Sequence, residues 1–284
     1  MRRFDYYQPE DLKEAFGVME RLKGGARYVA GGTDLICRIK QKVVQPDALI
    51  SLRRIKGLRG IHHNGETTLG SMTILREIER DAHMARDHRC LAQAISVLAT
   101  PQIRNMATLG GNLCNAAPSA DSAPPLLVLE ATLSLEGPGG RRDVPIEEFF
   151  TGPGQTNLRG SEVLTLIRIP SQGARTGSAF GKVGRLSEDI AIVNAAALLV
   201  MEGQTCRKCR LAVGAVAPVP LRLKRAEQLL EGRRIEEDIL EQVSKVVREE
   251  VKPISDVRAS EEYRRAISGV LVKRAILDAA RALN

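Results

Sequence analysis

Two glycine pairs carry the plainest chemistry in this sequence. The first ends the run Tyr28, Val29, Ala30, Gly31, Gly32. A hydroxyl (Thr33) and a carboxylate (Asp34) follow, and an apolar segment opens at Leu35. A strand that stops in a tight glycine turn and enters a helix aims several backbone N–H groups at one concave side. Such a nest binds an anion, most often a phosphate. Glycine suits the turn because a Cβ would hold the ligand off the backbone and block positive φ. The second pair repeats the chemistry in Thr108, Leu109, Gly110, Gly111 and Asn112. If both stretches clamp one ligand, it is long, with two phosphates near its middle. No lysine follows either pair, so neither is a P-loop, and neither reads GxGxxG into a long helix. Gly-Gly is equally an ordinary turn, and the residues alone leave both readings open. Asp34 would repel a diphosphate, so its expected task is to cap the helix that follows.

Other reactive residues offer less. Cys206 and Cys209 form a CxxC, but metal sites of that type need a second ligand pair and no other CxxC exists. The pair falls where a strand is expected to start, which would turn the two thiols to opposite faces. His62, His63, His83 and His88 show no metal-ligand spacing, so no metal site is expected. There is no GxSxG, no paired catalytic carboxylates and no activated-cysteine motif, which argues against bond-making chemistry of the chain's own. The net charge is +8 with the basic residues spread along the chain, and aromatics make up 3%. That argues against a nucleic-acid surface. Five cysteines, an odd number, with no apolar leader after the basic N-terminus, fit a reducing cytoplasm. No apolar run is long enough to span a bilayer.

The elements that must position these residues can be read coarsely. A strand at 4–7, a helix with Leu12, Ala15, Phe16, Met19 and Leu22 inward, and a strand at 28–30 suggest a small parallel βαβ unit. A short helix at 35–40 and a strand at 48–52 follow. Asn64-Gly65 predicts a hairpin. Thr73 is expected to cap a short helix holding Leu75 and Ile78, and Pro101 to end a longer one carrying Leu91, Ala94, Ile95 and Leu98. Pro124 and Pro125 suit a first helical turn, for which Asp121 is one possible cap. Strands are expected at 131–135 and 163–169, the second with Leu164 and Leu166 on one face. Residues 170–177 read as a linker. Beyond them come three strands (179–183, 191–201, 206–216) and three helices, the last with Tyr263, Val270 and Leu277 at heptad spacing.

Four stretches resemble one family: AGGTDL at 30–35, QIRNMATLGGNLCNAAPSAD at 102–121, SAFGKVGRLSEDIAIV at 178–193 and RLAVGAVAP at 210–218. Together they are similar to the FAD-binding (medium) subunit of the molybdenum hydroxylases, the family of xanthine dehydrogenase and aerobic carbon monoxide dehydrogenase. The resemblance covers essentially the whole chain, in the family's order. It implies an α+β protein. Residues 1–172 would form a two-part FAD-binding domain of the vanillyl-alcohol-oxidase (PCMH) type. Residues 178–284 would form a small domain, a three-stranded antiparallel sheet packed by three helices.

The resemblance also implies roles. Val29, Ala30, Gly31, Gly32, Thr33, Asp34 and Leu35 would run along the FAD pyrophosphate, mainly through N–H groups. Thr108, Gly110 and Gly111 would form the second half of the clamp, with Asn112 and Asp121 bonding the ribityl chain or flavin edge. Lys182 would reach the flavin across the domain interface and raise its potential. Ile190 would stand beside the flavin face and control access of an acceptor, and Leu164, more than Leu166, would pack near the ring. FAD would be noncovalent, since no histidine lies in AGGTD, and residues 121–150 carry neither the insertion nor the cysteines that hold an extra iron–sulfur cluster in some relatives, so none is expected. Molybdopterin and two 2Fe-2S clusters would sit on partner subunits in a dimer of heterotrimers, with NAD, a quinone, ferredoxin or oxygen as acceptor. A stand-alone flavin-dependent oxidoreductase and a basic non-enzymatic binding protein are the alternatives.

Overall fold

The computed structural model describes residues 3–186 and 188–283. Ser187, inside the third motif, and the outermost residues of both expected domains lie outside them.

The chain opens with β1 (Asp5–Tyr7), α1 (Leu12–Arg21), β2 (Ala26–Val29), α2 (Leu35–Lys40) and β3 (Ala48–Ser51). Asp11 caps α1 by accepting from the Glu14 N–H at 2.8 Å, and Ala15, Phe16 and Val18 bury against the sheet. The strands are parallel, in the order β1-β3-β2. β1 and β2 are therefore not neighbours, as a simple βαβ unit would require; β3 lies between them.

Next come the hairpin β4 (Ile61–Asn64) and β5 (Glu66–Gly70), then α3 (Leu75–Arg80), α4 (Ala82–Asp87), α5 (Arg89–Ser96), α6 (Pro101–Arg104), α7 (Leu109–Asn115) and α8 (Ala123–Val128). The strands β6 (Thr132–Gly137), β7 (Gly140–Pro145), β8 (Phe150–Gly152), β9 (Gln155–Thr156) and β10 (Val163–Ile169) complete this half. An antiparallel sheet runs β4-β5-β10-β6-β7. Its inner face (Leu69, Leu133, Leu135, Ile167) packs on Leu75, Leu91, Leu109 and Leu126 of the helices. Two expected boundaries shift. The Thr73 hydroxyl bonds both backbone groups of Gly60 at 3.0 Å instead of capping α3. Pro101 begins α6 behind its Thr100 cap, a position that needs no N–H.

The last third holds β11 (Thr176–Val183), β12 (Val193–Glu202), β13 (Thr205–Gly214), β14 (Leu221–Arg222), α9 (Lys224–Leu230), β15 (Arg233–Arg234), α10 (Glu237–Glu250) and α11 (Glu261–Arg281). The antiparallel sheet has five members, not three, because β14 and β15 each pair two residues with β13. β12 is apolar on both faces for a reason. Ala196 and Leu198 join the core of the first part of the chain, whereas Ala195, Ala197 and Leu199 face α11 and its neighbours. On α11 the inward stripe is Leu271, Val272, Ala275 and Ile276; Tyr263 and Val270 of the expected heptad are exposed. A bulge between β12 and β13 pairs Met201 with Cys206 and Val200 with Lys208. It turns Cys206 and Cys209 to the same buried face, against the expectation of opposite ones. Among the described residues no helix is long and apolar enough to cross a membrane.

His88 yields a test of this packing. It is 2% exposed, its Nε2 lies 2.8 Å from the Thr67 hydroxyl, and burial lowers its pKa to about 4. The unfolded chain takes up this proton below about pH 6.5, while the folded chain resists until about pH 4. Stability from this group is thus complete above pH 6.5 and falls as the pH drops. Urea unfolding at pH 7.5 and 5.0 should show a loss of about 2 kcal/mol that His88→Gln lacks. Equal losses in the two proteins would refute it.

Candidate cofactor site

A cavity of about 520 Å³ opens where the two glycine stretches meet. The stretches touch directly. A Cβ on Gly31 would overlap the Met106 carbonyl oxygen and lie 2.8 Å from Ala107 Cα, and one on Gly111 would lie 3.4 Å from Ala30 Cβ. Gly31 therefore has to be glycine for the segments to close, and Gly32, at φ +78°, turns the chain into α2. Val29, Ala30, Gly31, Gly32, Thr33, Asp34, Leu35, Thr108, Gly110, Gly111, Asn112, Asp121, Leu164 and Ile190 all line this cavity. Lys182 does not.

The stretches differ in what they offer. Among the described residues, the N–H groups of Gly31, Gly32, Thr33 and Asp34 find no acceptor in the chain. Asp34 makes no side-chain cap on α2, contrary to expectation, so nothing local competes for those donors. Arg27 and Arg38 line the same cavity, as do Asp34, Asp121, Glu162, Glu188 and Asp189, so it is the free amides and not the net charge of the lining that suit an anion. The second stretch has spent its amides. Leu109 N–H donates to Thr73 O (3.1 Å), Gly110 to Ser71 O (2.9 Å), Gly111 to the Thr108 hydroxyl (3.0 Å) and Asn112 to Thr108 O (3.0 Å). It therefore buttresses the nest and is not a second set of free amide donors. Asn112 uses its Oδ1 to accept from the Ser122 hydroxyl at 2.6 Å, which leaves its NH₂ available.

Another part of the lining is held from both halves of the chain. Asp121 is 5% exposed. Its Oδ2 accepts from Lys182 Nζ at 2.8 Å and its Oδ1 from Asn194 Nδ2 at 2.7 Å. It caps no helix. Burial pushes its carboxyl above the ordinary range, while the Lys182 charge and the hydrogen bonds from Lys182 and Asn194 pull it back. The Lys182 side chain is as buried as that of Asp121 and also donates to Val97 O at 2.9 Å. It crosses the interface as expected but ends behind Asp121, not in the cavity. Leu164 lines the site whereas Leu166 does not, because β10 shifts register between them and the alternation breaks. Ile190 is 59% exposed at the rim, not a core residue.

Two residues escaped the sequence reading. Arg104, 5% exposed, donates to Leu98 O (3.2 Å) and Ala99 O and is paired with Glu79 at 3.0 Å. It thereby fixes the turn whose Leu98 and Ala99 line the cavity. Asn194 was hidden in an apolar strand, where a lone amide was the available signal.

The unpaired amides and the glycine cradle border one cavity, a concave surface suited to an anionic ligand. Comparison with known proteins decides which one. Residues 2–172 match the model described as FAD binding domain in molybdopterin dehydrogenase, and residues 178–279 that of the CO dehydrogenase flavoprotein C-terminal domain. The chain belongs to the FAD-binding medium subunits of the xanthine dehydrogenase and CO dehydrogenase family. It is 33% identical to the carbon monoxide dehydrogenase medium chain of Hydrogenophaga pseudoflava over 96% of both chains. It is 36% identical to the xanthine dehydrogenase FAD-binding subunit of Escherichia coli O157:H7, over 96% of this chain and 95% of that one. A solved structure of the Hydrogenophaga enzyme, in a form lacking the Mo-pyranopterin moiety of its molybdenum cofactor, superimposes with a TM-score of 0.96 at 34% identity. The match covers 99% of this medium subunit and 98% of that chain.

Proposed function

We propose that this chain is the FAD-carrying electron-transfer subunit of a multi-subunit molybdenum hydroxylase, an oxidoreductase whose hydroxylation occurs on a molybdopterin partner. One observation supports it above the others: a single cavity bordered by both glycine motifs and lined as well by free amides and a cross-interface carboxylate. FAD, when bound, exchanges electrons singly or in pairs, which suits a carrier between 2Fe-2S clusters and an external acceptor. The chain's own task is to hold and orient. The Gly31–Asp34 amides receive the diphosphate, with Arg27 and Arg38 nearby. Thr108, Gly110 and Gly111 shape the bend, and Asn112 and Asp121 offer a donor and an acceptor toward the ribityl chain and flavin edge. Leu164 supplies an apolar wall, and Ile190 screens the rim through which an acceptor such as NAD or a quinone approaches.

Residues 1–172 serve as a FAD-binding domain of the vanillyl-alcohol-oxidase (PCMH) type, and 178–284 as the flavoprotein C-terminal domain that closes it. Assembly is with a 2Fe-2S and a molybdopterin subunit as a dimer of heterotrimers in the cytoplasm. The test is the visible spectrum of the full-length chain after incubation with FAD and desalting. About one noncovalent flavin per chain, released on denaturation, is the expected outcome. A folded chain that stays colourless would overturn the reading.

A further inference from the structure

Asn194 is fully buried, and among the described residues its side-chain oxygen has no hydrogen-bond partner. Its neighbours in β12, Val193 and Ala195, are buried and apolar. An amide placed there costs stability unless both its ends are satisfied, so packing alone does not account for it. Its Nδ2 donates to Asp121 Oδ1 at 2.7 Å, across the interface between the two halves of the chain. The opposite strand makes way for it: a Cβ on Gly214 would overlap Asn194 Oδ1. The next residue, Ala215, donates its N–H to Pro118 O at 2.7 Å, so the same strand end steadies the wall beside Ser119 and Ala120.

We infer that Asn194 is a positioning residue of the proposed FAD site, acting through Asp121. This rests on the FAD reading above. An ion pair with Lys182 alone would leave the carboxylate free to turn about its Cβ–Cγ bond. A second donor on the other oxygen fixes its plane. A carboxylate has roughly four acceptor sites, and these two bonds leave the others for a hydroxyl or ring N–H of the ligand. Asn194 therefore sets both how tightly FAD is held and how near a negative charge comes to it.

The test is a double-mutant cycle on the full-length chain: wild type, Asn194→Ala, Asp121→Ala and the double variant. The readouts are FAD affinity by fluorescence titration and flavin reduction potential by dye-coupled titration. Asn194→Ala should weaken FAD by about tenfold or more and make the potential more negative, because the released carboxylate opposes the charge gained on reduction. Both effects should vanish when Asp121 is already alanine. Should Asn194→Ala not fold, Asn194→Ser keeps a donor in less space and should fall between wild type and the Asp121 variant. Wild-type affinity and potential in a folded Asn194 variant, or losses that multiply in the double variant, would overturn the inference and leave the FAD reading standing. A wild-type chain that takes up no FAD would overturn both.

Discussion

Gly31→Ala is expected to reduce FAD binding by about a hundredfold or more and to lower stability by roughly 1–3 kcal/mol. The added Cβ would overlap the Met106 carbonyl oxygen and sit 2.8 Å from Ala107 Cα. Both are backbone atoms, so relief means separating the two glycine stretches, and that separation dismantles the cradle. Gly110→Ala should behave alike, since its Cβ would lie 2.6 Å from Ser71 O. Gly111→Ala should be milder, because its close neighbour is the Thr108 hydroxyl at 2.8 Å, the end of a side chain. Gly32→Ala has space but a φ of +78°, a strain of about 1–2 kcal/mol. Desalted absorbance spectra and thermal melts of the four variants would rank them. Undiminished flavin in Gly31→Ala would remove the close approach of the two stretches from the account of binding.

What was legible in the sequence was the chemistry that a single residue type forces on its own backbone. Gly31, Gly32, Gly110 and Gly111 could be suspected of sharing one site, with ordinary turns as the other open reading, and the family resemblance favoured the shared site. What was not legible depended on partners distant in the chain. Asp34 looked like a cap from its place before α2, yet its side chain makes no such bond. Thr108 and its neighbours looked like anion donors, but Ser71 and Thr73, from the turn after β5, claim two of those amides. Leu166 and the Cys206–Cys209 pair were misjudged because a bulge resets strand alternation, and a bulge is set by the partner strand. The same holds for Lys182. Its reach across the interface could be anticipated, but the buried carboxylate that meets it could not, since Asp121 is 61 residues away.

That pair sets the other large effect. Lys182→Met should destabilise the chain by about 3–5 kcal/mol at neutral pH, the usual consequence of removing one partner from a buried ion pair. Both side chains are 6% exposed, so solvent replaces the lost ammonium poorly. Asn194 would remain as a donor to Asp121 Oδ1, but burial already pushes this carboxyl upward, and without Lys182 it rises further. The sign of the pH dependence follows. A carboxyl whose folded pKa stands above its unfolded value destabilises the fold at higher pH, and that penalty fades as pH falls through the folded pKa. The variant's deficit in urea unfolding should therefore be smaller at pH 5 than at pH 7.5. Adding Asp121→Asn should recover part of the loss, because it removes the stranded charge while keeping the shape. Were Lys182→Met as stable as wild type at both pH values, the pair would not be a lock between the halves. The cavity wall at Asp121 would then owe its rigidity to Asn194 and to the Ala215–Pro118 backbone bond.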